Sequence, residues 1–223
     1  IDELQYNSFG TFNFGGSVFG FPAAMAVGPN EVVVGTSSAI NPGMGSMNVF
    51  SFNVDTGSPL SGTTSISGGL LSQQDSIRGM VFGKDGEKLY VAGQGSPGGN
   101  ANALEEFTLS SAYDITTASS EGIVALGTGL NALQGIAISG DGTKFYAMRS
   151  TSGSVGLVRE YAMSTAFDIT SLSTTRDVTA AHTGNWSGGF TMDIAVSPDQ
   201  SKFTMATLLS LIHISEPTRP TPI

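Results

Sequence analysis

The 223-residue chain has no cysteine, so neither disulfides nor thiolate metal sites are open to it. Charge is scarce as well. Charged residues make up 12% of the chain, about half the usual share for a soluble domain, which argues against a coiled coil or a long helical bundle. Basic residues are the scarcer kind: nine Lys and Arg face 18 Asp and Glu, for a net charge of −9. A nucleic-acid binder needs a basic face, and this composition can hardly build one. No apolar run is long enough for a membrane-spanning helix. Histidine occurs twice and tryptophan once.

What is present is small, polar and β-prone. Glycine occupies 30 positions and Ser plus Thr 51, yet 39% of residues are apolar and 13 are Phe, enough to build a core. The chain begins at Ile1 without Met or a signal-peptide pattern, which predicts a native N-terminus further upstream.

A repeat dominates the sequence. Gly79-Met80-Val81-Phe82-Gly83-Lys84-Asp85-Gly86-Glu87-Lys88-Leu89-Tyr90 recurs 56 residues later as Gly135-Ile136-Ala137-Ile138-Ser139-Gly140-Asp141-Gly142-Thr143-Lys144-Phe145-Tyr146. A third copy runs from Ile194 through Ser197-Pro198-Asp199-Gln200-Ser201-Lys202-Phe203, and a weaker first one covers Met25 to Val34. The second half of the unit repeats too: Glu106–Thr116 matches Glu160–Thr170. Such a fixed period signals a repeat architecture.

Each unit reads as β. Short apolar runs, Met80–Phe82 and Lys88–Ala92, flank Asp85-Gly86, a dipeptide suited to a tight hairpin with positive φ. Leu104–Leu109 reads as a third strand and Gly122–Leu126 as a fourth, with helices few and short. Four short strands per unit of this length make a blade of a β-propeller.

The hairpins of Asp141–Tyr146 and Ser197–Phe203 resemble those of YVTN-type and TolB-type propellers. Ser164-Thr165-Ala166-Phe167-Asp168-Ile169-Thr170 resembles an element of tandem-repeat proteins of marine phages and bacteria, with Phe167 or Tyr113 where those carry Trp. The resemblance implies an all-β fold, a β-propeller fragment of about 3–4 four-stranded blades with a period of about 56 residues. Rings close with four to eight blades, so an open arc with unpaired edges is expected rather than a closed ring. The expected division is a blade remnant at 1–22, units at about 23–77, 78–133 and 134–191, and a partial unit at 192–208. Residues 209–223 stand apart. Leu209–Arg219 resembles, over eleven consecutive residues, a reading-frame translation of a transposase-type sequencing-library adapter. The expectation is a non-native tail, which removes His213 and leaves His182 as the one usable histidine.

The recurrent acids have plain structural explanations. Asp85, Asp141 and Asp199 sit where a hairpin wants Asp or Asn before Gly, and Asn30 at the same phase supports a turn. Asp114 and Asp168 suit Asx-type turns that pack Tyr113 or Phe167 between blades, and no multi-oxygen metal spacing surrounds them. Glu105 and Glu106 are adjacent on a strand and point to opposite faces, while Glu106 and Glu160 read as a solvated strand face. No nucleophile elbow or phosphate loop occurs. These patterns give no catalytic residue, no metal ligand and no cofactor.

The loop Thr179–Gly189 carries His182, Asn185 and Trp186. An aromatic beside amides can stack on a sugar ring, or Trp186 can be pinned in the interblade core. The expected function is a non-enzymatic binding or structural propeller module of an extracellular or virion-surface protein, recognising protein or glycan on its loop face. A periplasmic location is the alternative setting. The rival is a propeller enzyme of lactonase or dehydrogenase type whose active site lies in other blades. No nucleic acid partner and no membrane span are expected.

Overall fold

The computed structural model describes residues 21–29, 31–37, 49–53, 74–95, 102–127, 130, 133–151, 154–179, 190–197 and 200–208. Thirteen strands run through these residues, with three short 3₁₀ turns. The first unit contributes β1 (Phe21–Val27), β2 (Glu31–Ser37) and β3 (Val49–Asn53). The second is complete, with β4 (Gln74–Gly83), β5 (Lys88–Gly95), β6 (Asn102–Leu109) and β7 (Ala118–Ala125). So is the third, with β8 (Leu133–Ile138), β9 (Lys144–Thr151), β10 (Ser154–Met163) and β11 (Leu172–Thr179). In the fourth unit β12 (Phe190–Val196) and β13 (Phe203–Leu208) are described.

Every pairing is antiparallel between neighbours within a unit, with one bridge, Ser37 to Ser76, linking the first unit to the second. The first strands of successive units pack side by side, β1 on β4, β4 on β8 and β8 on β12. This is the blade-on-blade arrangement of a β-propeller. The described strands close no ring, so the architecture is an arc. Met25 and Val27, which match the inward-packed Met80 and Phe82 of the second unit, are 58% and 60% exposed at its open end.

The core lies between blades. Alternation along β5 sends Leu89 and Val91 towards the first unit, where they join Ala26, Val33 and Phe107. Tyr90 and Ala92 go the other way, to Leu104, Leu133, Ile136, Phe145 and Tyr161. A smaller cluster of Ala137, Tyr146, Met148, Val158 and Ile194 joins the third unit to the fourth. A fully buried Leu or Phe contributes roughly 1.5–3 kcal/mol, so each interface is held mainly by its apolar lining. Glycine brings the first strands close: a Cβ on Gly79 would lie 3.0 Å from the Ile136 backbone nitrogen.

Two sequence expectations shift in detail. The strand expected at Gly122–Leu126 begins four residues earlier, because the turn capped by Asp114 ends at Thr117. The two complete hairpins also turn differently. Lys84, Asp85 and Gly86 all adopt positive φ, whereas in the third unit the hairpin has one positive φ, at Gly142. The cause is one hydroxyl. Ser139 Oγ accepts from the Lys144 amide and donates to Asp141, and Ser197 repeats the bond to Lys202, while Gly83 at this place has nothing to offer.

Candidate functional site

The recurrent acids prove to lie at turns and at joints between blades. Asp114 and Asp168 each cap a 3₁₀ turn: Oδ1 accepts from the amide of Thr116 or Thr170, at 3.0 and 2.8 Å, and from the same residue's hydroxyl. These bonds form the Asx turns read from the sequence. The turn forces the preceding aromatic into left-handed backbone, φ 66° at Tyr113 and 63° at Phe167, a conformation rare for bulky residues. Each ring then wedges between two hairpins. Tyr113 fills the space over Gly86 of its own unit and Gly28 of the preceding one, and Phe167 does the same over Gly142 and Gly83.

Asp141 has a similar role. Hydrogen bonds from Ser139, Thr143 and Gln200 hold its carboxyl well below the usual carboxylate range. Gln200 belongs to the fourth unit, so this bond joins two hairpins where the earlier units use an aromatic ring. Gln200 stands at the place of Gly142 and also takes positive φ, 57°.

The glutamates correct the expectation of a solvated face. Glu105, Glu106 and Glu160 are all buried. Glu106 pairs with Lys88 on the neighbouring strand, and its Oε2 accepts from the Ile169 amide of the next blade at 3.0 Å. Tyr90 reinforces this joint by donating to the Phe167 carbonyl at 2.8 Å, and burial pushes its phenol well above the usual range. Tyr161 donates to the Leu126 carbonyl at 2.6 Å, its phenol pushed up by burial to about 12. In the third unit Glu160 meets Lys144 at 3.8 Å and Arg176 at 3.0 Å. The signal for these buried acids was in the repeat: Lys88 and Lys144 recur in register with Glu106 and Glu160.

A cleft of about 340 Å³ opens above the Glu106 joint, lined by Lys84, Lys88, Glu121, Gly122 and the turn Ala166–Thr170. His182, Asn185 and Trp186, the residues singled out for ligand contact, lie outside the described residues, as does Asp199. Among the described residues no group of three or more His, Asp or Glu could hold a metal ion, and no helix is long and apolar enough to cross a membrane.

No protein-family model matches the chain, and no curated protein sequence does. Solved structures do resemble it. A protein from Bacteroides uniformis, provisionally assigned as a 6-phosphogluconolactonase, superimposes with a TM-score of 0.52 at 19% identity, over 85% of this chain and 50% of that one. A counterpart from Bacteroides fragilis, with the same provisional assignment, gives 0.52 at 18% identity over the same shares. KlAtg21, solved in complex with the coiled coil of AgAtg16, gives 0.50 at 10% identity, again over 85% and 50%. At such identities the likeness concerns the fold. The chain spans about half the length of these neighbours.

Proposed function

We propose that the chain is part of a non-enzymatic binding or structural propeller module of an extracellular or virion-surface protein. Its loop face recognises a protein or a glycan. One observation carries this reading: the recurrent acids that could have suggested catalysis, Asp114, Asp168, Asp141, Glu106 and Glu160, are all engaged in turns and blade joints. Recognition is thereby left to loops, the usual place for it on a rigid scaffold. Among the loop residues, Trp186 with Asn185 and His182 form the proposed contact set.

The test is binding of the 223-residue chain to an immobilised panel of host-surface glycans and proteins, with product formation followed in parallel. Saturable binding without turnover is expected, weakened at least tenfold by Trp186→Ala with the thermal midpoint unchanged. Two of the fold neighbours are provisionally assigned as lactonases, so 6-phosphogluconolactone belongs among the compounds assayed. Its steady hydrolysis would replace this reading with the enzymatic one.

A further inference from the structure

The second and third units bury the same strand glutamate but hold it differently: Glu106 by Lys88 and the Ile169 amide of the next blade, Glu160 by Lys144 and Arg176 of its own. Their third and fourth strands pair in the same register, Glu106 opposite Gly122 and Glu160 opposite Arg176, with a bulge at the same step. In the third unit the Arg176 guanidinium lies over the buried Glu160 carboxylate, with Nη2 at 3.0 Å and Nε at 3.3 Å from Oε2. In the second unit Gly122 has nothing within 4 Å of where its Cβ would stand, and the 340 Å³ cleft occupies the space. The bulge places Glu121 beside Gly122, so two residues oppose Glu106, and Glu121 lines the cleft with Asp168.

We propose that this cleft binds a guanidinium group, received where the third unit supplies its own. The charges favour a cation. Of the two lysines in the lining, Lys84 is paired with Glu87 at 2.7 Å and Lys88 with Glu106. Glu121 has no ion pair among the described residues, and Asp168 uses Oδ1 for Thr170 while Oδ2 remains. The chain as a whole carries −9, which draws cations to it. A planar fork of donors suits carboxylates on two walls better than a point charge does. The volume lies at the small end for ligand clefts and suits one arginine side chain. In the first unit Ser51 stands where Glu106 does in the second, pairing with Val33 as Glu106 pairs with Tyr90.

The test reads the cleft directly and does not depend on glycan binding. The ¹⁵N-labelled full chain is titrated with N-acetyl-arginine amide, and with the citrulline and lysine analogues as controls. Saturable shifts at Gly122 and Thr170 are expected, with at least fivefold weaker binding of the neutral citrulline isostere and of lysine. Glu121→Gln should weaken binding at least threefold. Gly122→Arg, which copies the third unit, should abolish it, and the exposed Glu121 variant decides the matter should the glycine variant fold poorly. Free arginine binding as well as the blocked form points to a small guanidino compound. Preference for the blocked form points to an arginine within a polypeptide. Equal binding of citrulline, shifts elsewhere, or no saturable shift overturns the proposal.

Discussion

Gly142 holds φ at 68°, and a Cβ there would collide with the Phe167 ring that closes the joint to the second unit. Two penalties would meet in one substitution. A side chain in left-handed backbone costs about 1–2 kcal/mol and overpacking a filled site about 1–3 kcal/mol. Gly142→Ala should therefore lower stability by about 2–5 kcal/mol in urea unfolding. Gly86→Ala should match it, since the added Cβ would lie 2.5 Å from the Tyr113 ring. Gly140, two residues away with nothing within 4 Å of its Cβ position, is the control. Its change to Ala should stay within about 0.5 kcal/mol. Equal effects at Gly140 and Gly142 would mean that the wedge contributes nothing. Gln200 meets the same backbone demand without glycine, and its side chain hydrogen-bonds Asp141.

At the scale of elements, the 3₁₀ turn Ile169–Ser171 is one of the pieces of the third unit that reach back to the second. Glu106→Ala would leave the Ile169 amide without its acceptor and Lys88, 17% exposed at its side chain, with the Thr108 hydroxyl but no ion-pair partner. Allowing for that exposure, the loss should be about 2–4 kcal/mol. The sharper readout is local: exchange of the Ile169 amide should accelerate more than that of Ile115, which opens the corresponding turn of the second unit. Equal acceleration would mean that the carboxylate serves only general stability. The strands around these turns were legible in the sequence because period, Asp-Gly turns and alternation agree. The Asx turns were legible because aromatic-Asp-Ile-Thr recurs intact. Glu106 was not, because alternation alone reads a charged strand residue as solvent-facing. Its lysine partner is 18 residues away on another strand. The cleft was equally hidden, since it depends on a glycine opposite Glu106 and on a bulge that composition does not reveal.

On the scale of the whole molecule, an arc of repeats is stable through nearest-neighbour interfaces, so unequal interfaces imply unequal protection. Among the described residues, the junction of the second and third units has the largest apolar cluster, together with the Glu106 and Tyr90 joints. The first and second units share a smaller cluster, to which the first contributes Ala26 and Val33 among its buried residues. Among the described residues, the fourth unit adds Ile194 and the partly buried Val196 to the smallest of the three, plus the Gln200 bond. Hydrogen exchange should follow this order. Amides of β5, β6, β9 and β10 should open only with global unfolding, and those of β12 and β13 through local opening at lower free energy. Gln200→Ala should hasten exchange in β12 and β13 without changing β5, because it removes a bond of the last interface alone. If every strand exchanged at one common rate, the arc would be a single cooperative body. The interfaces would then be coupled beyond nearest neighbours, and the differences between their clusters would have no energetic consequence.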